Sequence, residues 1–204
     1  MSSRPVTSPD RVYRSPAGIA GGVVLLALGA WLGADAVFGG DGRTPWFALA
    51  GLLFAVPLVV AFTIRPAVFG NEDRLRVRNP FRVITLPWAA VANFRSGYSN
   101  EVFDEAGTKY QLWSIPVSLR ARRKAQRRPA QPRPGGRVQQ DVTPAPVSER
   151  RAPADKSMDE LRELWQARAQ ATTSQGEPVV RWAYEIIAPA VAGAVLLVVL
   201  VALG

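Results

Sequence analysis

The stretches AGIAGGVVLLALGAWLGADAVF (residues 17–38) and WFALAGLLFAVPLVVAFTI (residues 46–64) decide the layout of this chain. Each supplies about the 20 apolar residues that an α-helix needs to cross the hydrocarbon core of a bilayer. Only residues 39–45 lie between them, with Gly39, Gly40, Gly42 and Pro45 as breakers, so the two predicted spans run antiparallel as a hairpin. A third apolar run covers residues 186–204. The segment between the second and third spans is therefore expected on one side of a membrane.

Charge sets the expected orientation. Residues 1–16 form a polar arm with Arg4, Arg11 and Arg14 against a single acid, Asp10. The segment after Ile64 begins with Arg65 and soon reaches Arg74, Arg76 and Arg78, whereas the connecting turn has Arg43 against Asp41. The positive-inside rule then places the arm and the central domain in the cytoplasm of a bacterium, with a multi-pass anchor in the plasma membrane and Gly204 outward. Arg181 and Trp182 read as residues flanking the inner end of the third span. The rival reading is a signal peptide cleaved near Ala34-Asp35-Ala36, but the first run is long for such a segment and a second span follows at once. Asp35 reads as an interfacial carboxylate in contact with water. Pairs such as Gly18/Gly22 and Gly29/Gly33 read as close packing within the hairpin.

Composition narrows the chemistry. The chain has 204 residues, no cysteine and no histidine. That removes disulfides, thiolate nucleophiles, the commonest general base and the commonest transition-metal ligand. No phosphate-cradling glycine loop, nucleophile elbow or acidic metal cluster is legible. Net charge is +9, and arginine supplies 22 of the 25 basic residues, a bias that suggests high-GC coding and an actinobacterial source.

Between Arg65 and about Leu119 the pattern changes to short alternating segments. In Arg74-Leu75-Arg76-Val77-Arg78 the period of two predicts a half-buried strand, with Leu75 and Val77 inward and three arginines outward. Asn79-Pro80-Phe81 reads as a turn, Arg82–Leu86 as a strand, Pro87–Val91 as a corner and Val91–Ser96 as a further strand. Glu101–Asp104 and Lys109–Ile115 flank a hairpin signal at Asp104-Glu105-Ala106-Gly107. Such closely spaced strands predict a small antiparallel barrel or sandwich.

The string Leu75 to Arg82, then Ile84, Pro87-Trp88 and Val91, followed by Tyr110-Gln111-Leu112-Trp113-Ser114-Ile115-Pro116, resembles the bacterial PH-like domains of actinobacterial membrane proteins, including the low molecular weight antigen family. The resemblance covers roughly residues 17–117, because such proteins place a membrane hairpin just before the domain. It rests on Arg78, Asn79, Pro80, Phe81, Pro87, Trp88, Leu112, Trp113, Ile115 and Pro116 as a structural motif. It implies a bent antiparallel barrel closed at one end by a C-terminal helix, with no enzyme and no cofactor. The helical spacing of Leu161, Leu164 and Trp165, after acids suited to a first turn, nominates residues 157–172 as that capping helix.

The expected order is thus an arm (1–16), a transmembrane hairpin (17–64), a PH-like β domain (65–118), a basic Pro/Arg-rich insertion (119–156), the capping helix (157–172) and a last span (186–204). The insertion carries eleven basic residues against three acids, and its few apolar residues predict disorder. Three readings of it compete: a run that fixes topology, a patch attracted to anionic lipid, and a nucleic-acid contact. The last is disfavoured because no aromatic residues interleave for stacking. Candidate headgroup contacts are Arg74, Arg76 and Arg78 on the strand and Arg120, Arg122, Arg123, Lys124, Arg127 and Arg128 in the insertion. The functional expectation is a non-enzymatic membrane-anchored adaptor or scaffold with a protein partner. The alternatives are an anionic-lipid surface sensor, and an accessory subunit of a transport or envelope complex.

Overall fold

The computed structural model describes residues 9–116 and 153–203. Three of its helices are long and apolar enough to cross a membrane. Helix α1 (Pro16–Phe38) starts at Ser15, whose hydroxyl accepts from the Gly18 N–H, with Pro16 where a helix needs no N–H donor. Helix α2 (Thr44–Val59) continues into a widened last turn, Val60–Ile64, just beyond Pro57. There the Arg65 N–H reaches back to the Val60 carbonyl at 2.8 Å. Helix α4 (Tyr184–Ala202) lies antiparallel to α2: Arg65 pairs with Glu185 at one end, and Arg43 donates to the Leu200 carbonyl at the other. That second contact sets a cation on the exposed carbonyls of a helix C-terminus.

Helix α2 is the middle member. Gly22 and Gly33 are the buried residues of α1, and side chains at those positions would overlap Thr63 and Leu52 of the α2 segment. Gly193 of α4 lies against the backbone of Leu53 and Phe54, an approach that any Cβ would prevent. The small residues of α1 and α4 thus serve packing within the bundle, whereas a Cβ at Gly29 would meet open space.

The β domain consists of two antiparallel sheets. The first has the order β1-β2-β3-β4-β8, from Arg11–Tyr13, Ala67–Gly70, Arg74–Arg78, Arg82–Pro87 and Val179–Trp182. The second is β5-β6-β7, from Val91–Ser96, Asn100–Asp104 and Lys109–Gln111. Trp88–Ala90 makes the corner between them as a 3₁₀ turn, and the Trp88 indole N–H donates to the Asn71 carbonyl at 2.8 Å. Val68, Leu75, Val77, Ile84 and Leu86 from the first sheet meet Val91, Val102 and Tyr110 from the second in one core. Helix α3 (Pro153–Arg168) closes it, with Met158 and Leu161 inside the same core and Leu164 and Trp165 packed on its rim. Trp165 stands edge-on to Phe94, centroids 6.0 Å apart. Burying a side chain such as Leu161 stabilises by about 1.5–3 kcal/mol.

The structure differs from the sequence expectation at several points: Ala67–Gly70 forms strand β2 where none was expected, and the capping helix runs Pro153–Arg168 instead of 157–172. The polar arm contributes an edge strand: Arg11–Tyr13 pairs with Phe69 and its neighbours, and Tyr13 donates to Glu160 of α3 at 2.8 Å. The segment flanking the last span contributes β8, which pairs with β4. The strand expected over Lys109–Ile115 stops at Gln111, because Leu112 and Ile115 both turn into the core and the Asn100 amide donates to the Ile115 carbonyl. The expected disordered insertion falls largely on residues 117–152, outside the described residues.

Candidate functional site

The outer face of the first sheet follows from alternation along its strands. Leu75 and Val77 point inward and are fully buried, which turns Arg74, Arg76 and Arg78 outward. The register then lays out three cross-strand rows. Arg78 stands beside Ala67 and Val83, with Arg181 beyond Val83; Arg76 stands beside Phe69 and Thr85, with Val179 beyond; Arg74 stands beside Pro87. The Arg78 row lies at the end of the sheet where α2 leads into β2 and β8 leads into α4. Two residues along a strand advance about 6.6 Å, so Arg74 sits roughly 13 Å farther from the helices than Arg78.

The guanidinium groups crowd one another. Arg76 and Arg78 both stack on the Phe69 ring, at 4.4 and 5.2 Å from its centre. Burial pushes the Arg78 pKa below the usual arginine range, and the charges of Arg65, Arg76 and Arg14 push it the same way. Two carboxylates offset part of this field: Glu185 pairs with Arg65 at 2.9 Å, and Asp10 pairs with Arg76 at 2.8 Å. A groove of about 930 Å³ runs over this face, lined by Arg65, Arg74, Arg76 and Arg181 together with Asp10 and Glu185.

The motif around Asn79-Pro80-Phe81 has a separate job. It is the tip of the β3–β4 hairpin, and it seats the barrel on the helices. The Phe81 ring stands edge-on to Phe62 of α2 at 5.3 Å, and Trp113 meets Phe62 at 5.7 Å. The Ala183 N–H donates to the Phe81 carbonyl, and Phe81 packs on Ala61, Ala183 and Ile186. A crevice of about 350 Å³ remains beneath this contact, walled by Phe62, Phe81, Trp113 and Trp182. The Asn79 side-chain oxygen at its edge is buried without a hydrogen-bond partner among the described residues. Trp88, Leu112 and Ile115 are core residues, while Pro116 is exposed.

The structure therefore brings Arg74, Arg76 and Arg78 together on one face. Arg120, Arg122, Arg123, Lys124, Arg127 and Arg128 fall outside the described residues. Sequence reasoning missed Arg65, Arg181 and Asp10 as members of this face. Arg65 and Arg181 stood out in the sequence only as charges flanking spans, a signal equally consistent with plain anchoring. Among the described residues no group of three carboxylates could hold a metal ion.

Fold and anchors together define a small helix-capped antiparallel barrel seated on a three-helix membrane-type bundle. A family model for the bacterial PH domain matches residues 65–194, and the chain belongs to that family. No curated protein and no solved structure matches it.

Proposed function

We propose that this protein is a non-enzymatic scaffold that holds its PH-like barrel in a fixed pose at the cytoplasmic face of a bacterial plasma membrane. The observation that carries the proposal is the clamp between barrel and helices: the ring contacts of Phe62 with Phe81 and Trp113, the Arg65 side chain donating to the Asn79 carbonyl at 3.4 Å, and the Phe81–Ala183 hydrogen bond. A barrel tied to its anchors at so many points is suited to presenting a surface. PH domains in general are interaction modules, which agrees with this role. The charge asymmetry of the bundle supports the orientation, since Arg14, Arg65 and Arg181 gather at the domain end and Asp41 and Arg43 lie at the other. The motif from Leu75 to Arg82 and the hairpin that precedes it support the narrower kinship with the actinobacterial low molecular weight antigen family.

The chain has no cysteine, so a single Tyr98→Cys change gives a clean reporter on a fully exposed residue of the domain. Protection from a membrane-impermeant thiol reagent in intact cells, with labelling after lysis, is the expected result. Labelling in intact cells would reverse the orientation and remove the cytoplasmic scaffold.

A further inference from the structure

We infer that the end of this arginine face nearest the helices, where Arg65 and Arg181 line the groove and Arg78 stands in the same cross-strand row as Arg181, is a binding site for the phosphate of an anionic phospholipid headgroup, drawn from the bilayer that the three helices cross. The inference rests on the membrane-anchored reading above and narrows it to one surface and one ligand class.

Position is the first support. Arg65 is the residue directly after the α2 segment, and Arg181 lies three residues before α4. Arg78 shares a cross-strand row with Arg181 through Val83. The cations therefore converge at the level where two helices leave the bilayer, which is the level of lipid phosphates. Charge balance is the second support. Arg65 and Arg76 have carboxylate partners, but the described residues show no carboxylate bonded to Arg78 or Arg181. Arg78 is half-buried, stacked on Phe69 and surrounded by like charge. A doubly coordinated phosphate oxygen pair is the ligand that guanidinium forks suit best, and it would relieve that repulsion. Arg74 lines the far end of the same groove, one row beyond Arg76 and roughly 13 Å along the strand from Arg78, so a phosphate held at the Arg78 row does not meet it. The site is thus graded by distance from the helices, and a diffuse basic surface would not be.

The carboxylates make the inference testable in both directions. Glu185 occupies Arg65, and Asp10 occupies Arg76, as an arriving phosphate would. Glu185→Gln should therefore tighten lipid binding, whereas Arg78→Gln and Arg181→Gln should weaken it.

The experiment uses the full chain in detergent, titrated with short-chain phosphatidylglycerol, with phosphatidylcholine of equal chain length, and with inorganic phosphate; native mass spectrometry counts the bound molecules. Phosphatidylglycerol should bind more tightly than phosphatidylcholine. Each of Arg78→Gln and Arg181→Gln should cost about fivefold, the worth of one basic residue near an anionic surface. Arg74→Gln removes the same charge and should cost less than about twofold. Arg78→Lys should recover part of the loss, and unchanged melting of each variant separates lost binding from lost folding. Equal losses at Arg74 and Arg78, or no preference for phosphatidylglycerol, would overturn the site. Inorganic phosphate binding as tightly as the lipid would assign the groove to a free anion and overturn the lipid. Intact binding despite Arg78→Gln and Arg181→Gln would leave the groove to an acidic protein partner and would also overturn it. Reconstitution into vesicles followed by alkaline carbonate extraction tests the underlying reading separately: release of the chain would refute the anchoring itself.

Discussion

The two faces of the five-stranded sheet are built by the same strands and obey opposite rules. On the inner face, Val68, Leu75, Val77, Ile84 and Leu86 are fully buried, so each is held in place by packing on every side. On the outer face, Arg76 and Arg78 share one aromatic ring, and Arg76 and neighbouring Arg65 have carboxylate partners supplied from the arm and from α4. The inner face is specified by volume and tolerates no charge. The outer face concentrates charge at a cost in mutual repulsion, which the fold bears because the inner face stabilises the strands. The lesson is a division of labour with a period of two residues, with stability and recognition carried by alternate positions of one strand.

The largest effect should come from crossing that division on β3. Leu75→Ala should cost about 2–5 kcal/mol of barrel stability, because it leaves a cavity among fully buried neighbours. Denaturant titration of the detergent-solubilised chain, read by proteolysis, measures it. The cap provides the next contrast. Leu161→Ala removes a fully buried side chain and should approach the same range, while Trp165→Ala, at the rim against Phe94, should cost about 1–3 kcal/mol. Unchanged melting in both would mean that α3 does not close the barrel. On the outer face, Arg76→Gln should change stability by no more than about 1 kcal/mol, since it breaks an exposed pair with Asp10.

The smallest effect concerns pH. Burial first, then the hydrogen bond to the Glu160 carboxylate and its charge, raise the Tyr13 pKa above its ordinary value near 10. A tyrosine whose pKa is higher in the folded state contributes stability that is complete below about pH 10 and is lost as pH climbs above that value. Tyr13→Phe should flatten the alkaline fall in the melting temperature. Tyr110, raised mainly by burial and also by its bond to Asp104, should retain its own share.

The inner face was legible in the sequence because alternation over Arg74–Arg78 and β-branched enrichment over Arg82–Leu86 are local signals. The three apolar helices were legible because hydropathy sums over 19 or more residues. The cap was legible from the spacing of Leu161, Leu164 and Trp165, although Met158, equally buried, carried no distinct signal. The sheet edges were not legible. Strand β1 has three residues and β8 has four, and both lie beside spans where arginine and tryptophan already have an interfacial explanation. The groove followed the same rule. Arg76 and Arg78 were visible as a strand face, but Arg65, Arg181, Asp10 and Glu185 join them only through pairings across 66 to 120 residues of sequence, which no local pattern encodes.

The central claim is that the outer face is pressed against the headgroup layer at its Arg78 row and rises away from it toward Arg74. Single cysteines at Val83, in the near row, and at Asn71, beside Arg74, carry a fluorophore and leave every arginine in the sequence. The chain is reconstituted in nanodiscs containing a headgroup-labelled quencher lipid. Strong quenching at Val83 and weak quenching at Asn71 is the expected result. Equal quenching at the two positions, or stronger quenching at Asn71, would contradict the pose and with it the lipid site.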